Sequence, residues 1–271
     1  MPDGPDGGFA DGIFIGSGER DAVSIVRDAS RPVLPKRFYS SVTIGEEPGG
    51  FGVLLDGRPV RTPRGRPMVL PTRQAAERAA EEWARQGETI DPASMPFVRL
   101  VNSAVDGVAQ DVAATAADIA KYAGSDLVCY RASDPETLVA AQAKAWDPIL
   151  AFAQTRLGAR FRVGEGVIFV PQPPEALAAV TDAVDAIGAA DHAALRIAAL
   201  HVVTTLTGSA LIALAVYYGA LSPDAAWSAA HVDEDEQMRL WGFDAEALRR
   251  RAKRFEDMKA ACGLLETLPR N

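Results

Sequence analysis

The chain has 271 residues with 48% hydrophobic side chains, enough apolar material to fill one large core or two ordinary ones. Acidic residues outnumber basic residues by 36 to 28 and give a formal net charge of −8, so the overall field disfavours a nucleic-acid partner. The only cysteines, Cys129 and Cys262, are too few for a disulfide framework or a cysteine-based zinc site. These properties are typical of a globular protein from a reducing compartment.

The first 30 residues lack the basic start and the apolar run of a secretory signal. They contain six acidic residues against Arg20 and Arg27, whereas organelle-targeting peptides are rich in arginine and poor in acids. We therefore expect a bacterial cytoplasmic protein. The density of glycine and aspartate predicts that residues 1–30 are loosely ordered.

In the next segment, residues 36–70, short apolar runs alternate with glycine, proline and aspartate, a pattern typical of short strands joined by tight turns. Asp56-Gly57 separates two strand-like runs, and this dipeptide is typical of a two-residue hairpin because both turn positions need positive φ. A strand with one distinct face is predicted from the alternation of Phe38, Ser40, Val42 and Ile44. Together these signals indicate a small sheet.

A helix that covers one face of this sheet is predicted after Thr72, whose side chain can cap its first turn. Gly87 ends the helix. The apolar stripe of this helix consists of Ala75, Ala76, Ala79, Ala80 and Trp83. The following segment, through about Asp106, contains two prolines and no long period, so we interpret it as a crossing to the rest of the chain.

Beyond Asp106 the hydrophobic period is helical almost to the end, apart from a short hairpin expected within 160–170 and a helix capped by Asp191. The sequence therefore predicts an α+β protein. It has a small sheet-plus-helix domain over 31–106, followed by a larger all-helical domain over 107–271.

The segment Ile197–Tyr218 contains no charged residue and is long enough to suggest a membrane span. Polar residues such as His201 and Thr204 dilute its centre, and no basic residues flank it in an interfacial pattern. We predict one helix buried on all sides within the helical domain, without membrane insertion.

Motifs for catalysis are missing from the sequence. It has no phosphate-binding loop, no nucleophile elbow and no zinc-protease motif, and its three histidines lack metal-ligand spacing. We therefore expect no catalytic residue, no cofactor and no metal. An enzyme with a pocket near Cys129 or the Glu81/Glu82 pair is the alternative, although a buried structural thiol is the simpler expectation for Cys129.

Four carboxylates, from Asp233 to Glu236, lie together before Gln237. Such a run is typical of a solvated helix start, where the helix dipole favours negative charge. It is also a pattern that suits contact with a basic partner surface, and the residues alone leave both interpretations open.

Several stretches in a specific order resemble one family. They are KRFYSSV and LDGRPVRTP, the helix with Glu81, Glu82 and Trp83, the dipeptide Met95-Pro96, SDLVCYR, QAKAWDPIL and finally DEDEQMRLWG. Over residues 35–242 the chain resembles the assembly chaperones of F-type ATP synthase found in mitochondria and alphaproteobacteria. The family's mitochondrial members act in the matrix.

This resemblance implies a two-part, non-enzymatic chaperone that binds the unassembled alpha subunit of the F1-ATPase head and prevents its aggregation. The family pattern Glu-x-x-Gln-x-x-x-Trp-Gly matches Glu234, Gln237, Trp241 and Gly242. Asp235 and Glu236 are neighbouring candidates for the partner contact, and Glu236 stands where relatives often carry an aromatic residue.

We expect a monomer when the chain is free. Trp83, Trp146, Trp227 and Trp241 are candidate interface anchors, with core packing as the alternative for each. A structural subunit of the synthase itself is the third hypothesis, and it predicts co-purification with the finished enzyme in fixed ratio.

Overall fold

The computed structural model describes residues 34–269, and from Lys36 onward these residues form one compact unit. The loose order expected for residues 1–30 lies outside the described part. The strands are β1 (Val42–Glu47), β2 (Gly50–Leu55), β3 (Arg58–Pro59), β4 (Val69–Leu70), β5 (Tyr130–Arg131) and β6 (Gly164–Glu165). The helices are α1 (Arg73–Ala84), α2 (Pro96–Asp106), α3 (Val112–Lys121), α4 (Glu136–Phe152), α5 (Pro174–Gly188), α6 (Ala193–Thr207), α7 (Ala210–Tyr217), α8 (Pro223–Ala230), α9 (Val232–Trp241) and α10 (Ala245–Thr267). This confirms the predicted α+β class, a small sheet region followed by many helices.

The small sheet is antiparallel, with β2 paired to β1, β3 and β4. Asp56 and Gly57 have φ values of 47° and 78°, which confirms the predicted two-residue turn between β2 and β3. Ser41 donates its backbone N–H to the Asp56 carboxylate at 2.8 Å, so the turn residue also fixes the chain that enters β1. The strand β1 begins at Val42, four residues later than the alternation suggested.

Helix α1 confirms the prediction made from Thr72 and the alanine stripe. The Thr72 hydroxyl accepts the Ala75 N–H at 3.2 Å, and Ala75, Ala76 and Ala79 are fully buried against β1 and β2. Alanine keeps the helix close to the sheet because it has no bulk beyond Cβ. Glu82 is also buried, which the stripe did not predict.

Helix α2 was missed from the sequence because its prolines were interpreted only as breakers. Pro96 occupies the first turn, where proline removes no intrahelical hydrogen bond. Phe97, Val101 and Ala104 are buried on its inner face, and α2 contacts α1, α6 and α10. A packed helix therefore connects the sheet with the helical part, and the domain boundary near Asp106 remains a prediction.

The uncharged segment forms two helices, so the single helix predicted over Ile197–Tyr218 is wrong. Gly208 breaks it with a φ of 69°, and the Ser209 hydroxyl accepts the Ile212 N–H at 2.9 Å to start α7. Within residues 34–269, no helix combines the length and apolarity that a membrane span needs.

Asp126 supports the start of α7 from a fully buried position. One carboxylate oxygen accepts the Leu211 N–H at 3.0 Å and the other accepts the Val128 N–H at 3.3 Å. Burial raises the pKa of Asp126 to about 6, although the Ser209 hydroxyl and these backbone donors oppose the shift. Through these hydrogen bonds the Asp126 carboxyl connects the segment that precedes β5 with the start of the core helix α7.

Two local predictions in the helical part are wrong. Residues 160–170 form no hairpin, because β6 pairs in parallel with β5 instead. Asp191 does not cap α6, since the residue before the helix is His192, in a left-handed conformation and without a side-chain cap. The core lies between α4, α6, α7 and α10, and its largest fully buried side chains include Trp146, Ile149, Ile197, Leu200, Leu211, Ile212, Leu214, Met258 and Leu264.

Candidate partner-binding surface

The helices α9 and α10 form a helical hairpin, here called the α9–α10 hairpin, joined by residues 242–244. Gly242 turns the chain with a φ of 92°, and the Asp244 carboxylate accepts the Glu246 N–H at 2.8 Å to cap α10. No residue of α9 is buried, and the first buried residue of α10 is Met258. About 14 Å of α10 precedes Arg254, which reaches the Leu206 carbonyl, and the next residue, Phe255, stacks on Trp227.

Helix α4 holds α9, and the end of α8 that leads into it, through three hydrogen bonds. Trp146 Nε1 donates to the Ala229 carbonyl at 2.7 Å, and Gln142 Nε2 donates to the Asp233 carboxylate at 2.7 Å. The third is donated by the Thr137 hydroxyl to Glu236 Oε1 at 2.6 Å. The start of α9 is thus fixed, while the upper part of the hairpin is exposed.

Three of the four residues of the family pattern share one face of α9. Glu234, Gln237 and Trp241 are separated by three and four positions, which is the spacing of one helix face. They line a groove of about 480 Å³ between α9 and α10. The sequence prediction that Glu234 lies in the first turn of a helix is confirmed.

The other carboxylates of the acidic run have partners within the chain. Asp233 accepts from Gln142, and Asp235 pairs with Arg251 of α10. Glu236 pairs with Arg239 at 2.6 Å, and the hydrogen bonds from Arg239 and Thr137 lower the pKa of Glu236 to about 2. These three residues hold the hairpin together and to α4.

Glu234 differs from its neighbours because no group within residues 34–269 donates a hydrogen bond to its carboxylate. Its side chain is 59% exposed, and its nearest cationic candidate is His231 Nε2 at 4.0 Å. Burial lowers the pKa of His231, whose Nδ1 lies 2.7 Å from the Trp227 carbonyl oxygen and carries the proton it donates there. A neutral His231 leaves the charge of Glu234 available to a partner.

The tip of the hairpin is apolar and exposed. Trp241 is 85% exposed and Phe243 is 76% exposed, and Leu240 and Leu248 near this end of the hairpin are exposed as well. Contiguous exposed apolar side chains mark protein interaction sites in soluble proteins. The sequence analysis identified only Trp241 among these exposed apolar residues. The string LWGF, in which a glycine interrupts three large apolar side chains, is the signal that could have identified Leu240 and Phe243 as well.

The other three candidate anchor tryptophans pack inside the protein. Trp146 and Trp227 are buried, and Trp227 stacks on Phe255 with ring centroids 5.1 Å apart. Trp83 is half-buried against Tyr39. Trp241 is therefore the tryptophan whose ring is free to enter a partner surface.

Two of the three residues named in the enzyme alternative, Cys129 and Glu82, are buried. Cys129 is fully buried, and burial raises the pKa of its thiol to about 12, so it stays protonated. The Glu82 carboxylate accepts the Phe97 and Val98 N–H groups at 2.9 and 2.8 Å and caps α2, while Glu81 is exposed. In the described range, no cluster of three or more metal-ligating side chains occurs.

Comparisons with known proteins agree with this picture. A family model described as the ATP12 chaperone protein matches residues 36–154. The crystal structure of a candidate chaperone from Agrobacterium tumefaciens is 46% identical, with a TM-score of 0.82, over 93% of this chain and 92% of that one. Atp12 from Paracoccus denitrificans is 41% identical, with a TM-score of 0.78, over 86% of this chain and 98% of that one. A mutant of the Paracoccus protein gives 40% identity and a TM-score of 0.77 over 86% and 97%.

The fold and these similarities support an assembly chaperone. The chain belongs to the ATP12 chaperone family, which acts in ATP synthase assembly. The resemblance drawn from the sequence motifs is thereby confirmed.

Proposed function

We propose that the chain binds the unassembled alpha subunit of the F1 head of ATP synthase and prevents its aggregation until beta subunits arrive. Membership of the ATP12 chaperone family supports the assembly role. A free alpha subunit must expose surface that beta later covers, and such surface drives aggregation. The chaperone has to cover that surface more weakly than beta does, so that assembly can displace it.

The observation that carries this proposal is the α9–α10 hairpin, which offers a carboxylate and an aromatic anchor on one exposed face. Glu234 supplies an unpaired charge, Gln237 supplies an amide, and Trp241 supplies a large apolar surface. We assign partner binding to these three residues. Asp235 and Glu236 support them by fixing the hairpin through Arg251, Arg239 and Thr137.

The direct test is capture of isolated alpha and beta subunits by the purified chain. We expect capture of alpha and little capture of beta. We also expect the chain to suppress light scattering from alpha as it aggregates, at a ratio near one to one. Equal capture of both subunits, or no effect on alpha aggregation, contradicts the proposal.

We further propose that the chain works as a monomer in the bacterial cytoplasm, where the synthase head is assembled. A monomer leaves the hairpin open to the alpha subunit. Sedimentation of the free chain tests this proposal, and a stable dimer that covers Trp241 contradicts it.

We expect no ATP hydrolysis, because the sequence has no phosphate-binding loop and Glu82 of the candidate acidic pair accepts backbone N–H groups at the start of α2. Steady-state assays on the purified chain should give no turnover above buffer. Turnover that survives further purification and disappears on a point substitution in this chain would overturn the non-enzymatic assignment.

A further inference from the structure

The α10 wall of the groove is basic, although the acidic run is the most visible sequence feature of the α9–α10 hairpin. Its α10 wall is formed by Ala247, Arg250, Arg251 and Arg254. Residues 245–254 contain five basic side chains against one acid, Glu246, in a chain whose net charge is −8. Within the acidic run, Asp233 and Glu236 pair outside the groove and Asp235 pairs with Arg251 of its wall. The carboxylates that line the groove are therefore Glu234 and Asp244, which caps α10.

Two of the groove arginines keep donors for a partner. Arg250 pairs with Glu246 at 2.5 Å, but both side chains are more than 60% exposed, so water competes for that ion pair. Arg254 donates to the Leu206 carbonyl at 3.1 Å and uses one of its five N–H groups there. Arg251 is less exposed and holds Asp235, so it stabilises the groove rather than waiting for a ligand.

Both walls of the groove have helical spacing over two turns. The α9 wall runs through Glu234, Met238 and Trp241, and the α10 wall runs through Ala247, Arg250 and Arg254. A groove between two helices accepts a third helix, whose side chains at positions i, i+3 or i+4, and i+7 enter it. Its apolar lining suits an apolar stripe, and the arginines suit carboxylates beside that stripe.

We infer that this groove binds about two turns of an amphipathic helix of the alpha subunit that carries acidic residues on the flank facing α10. The apolar stripe packs on Trp241 and Met238. The acidic flank pairs with Arg250 and Arg254, and a basic residue of the same helix meets Glu234. This inference rests on the proposed function for the identity of the partner and on the groove for the chemistry.

The first arm of the test measures capture of the alpha subunit by Arg250→Glu/Arg254→Glu. Arg58→Glu/Arg160→Glu is the matched control, since it makes the same change in net charge at exposed residues outside the groove. We expect at least tenfold weaker capture by the groove variant and less than a twofold change in the control. Circular dichroism verifies folding, and Arg250→Gln/Arg254→Gln is the milder substitute if the first variant unfolds.

The second arm uses a synthetic 18-residue helical peptide with a leucine stripe flanked by glutamates, and the same peptide with lysines for the glutamates. We expect the glutamate peptide to bind at least tenfold more tightly and to shift the fluorescence of the exposed Trp241 to shorter wavelength. Trp241→Phe should remove that shift, and Arg250→Glu/Arg254→Glu should remove the preference for glutamate.

The two arms separate the inference from the proposed function. If the wild type captures alpha and the groove variant captures it equally well, the function stands and the inference fails. If the wild type captures no alpha but prefers the glutamate peptide, the groove chemistry stands and the assignment to alpha fails. Absence of both effects, or self-association of the chain through the groove, overturns the inference.

Discussion

We expect Glu234→Gln to fold as the wild type does and to bind the alpha subunit poorly. In the free chain this carboxylate gains only about 0.3–1 kcal/mol from the start of α9, because no side-chain donor reaches it in the described structure. In the complex, removal of its charge leaves a desolvated partner cation and costs roughly 2–5 kcal/mol of binding. Titration of alpha and a melting curve measure the two effects separately.

Glu236→Gln is the neighbouring control for this prediction. It weakens an internal pair with Arg239 and a contact with Thr137, so we expect a smaller loss of binding than for Glu234→Gln. If Glu234→Gln binds alpha at wild-type strength, or loses binding only because it unfolds, Glu234 is a helix-capping residue and the contact lies elsewhere.

The second large effect is expected at Asp126. In Asp126→Ala the Leu211 N–H and the Ser209 hydroxyl lose a buried acceptor, which should lower the free energy of unfolding by roughly 2–4 kcal/mol. Urea unfolding at pH 5 measures the loss. A change below 0.5 kcal/mol would mean that the start of α7 relaxes without this carboxyl.

The raised pKa of Asp126 also predicts how the free energy of unfolding changes with pH. Its pKa is about 6 in the folded chain and near its ordinary value of 3.8 when unfolded, so between these values the folded state holds more protons. The contribution of this group is therefore greatest below pH 4, falls as pH rises to about 6, and then stays level. The loss amounts to about 3 kcal/mol.

Asp126→Asn separates the pH dependence of Asp126 from that of carboxyl groups whose pKa is lowered by folding, such as Glu236. The difference in unfolding free energy between wild type and Asp126→Asn should decline from pH 4 to pH 6.5. A difference that is flat across this range contradicts the raised pKa.

Local signals explain why the sheet and its helix were predictable from sequence. Asp56-Gly57 and the Thr72 cap each act within a few residues, so tertiary packing did not have to be known. Helix α2 and the break at Gly208 were missed for opposite reasons. Proline at a helix start was taken for a breaker, whereas Gly208, which does end a helix, lies in an uncharged run that is also compatible with one buried helix.

The candidate site was only partly predictable. The positions of Glu234, Gln237 and Trp241 on one helix face follow from their spacing. The basic α10 wall of the groove does not, because it depends on how α10 lies against α9, where Arg251 pairs with Asp235. The apolar tip was hidden because LWGF has the composition of a core segment.

Amide hydrogen exchange on the chain alone and in complex with isolated alpha subunit tests the central claim most directly. The account predicts slower exchange in residues 232–254 on binding, with little change in β1 and β2. Protection confined to the sheet, with the hairpin exchanging as it does in the free chain, would contradict the assignment of partner binding to the α9–α10 hairpin.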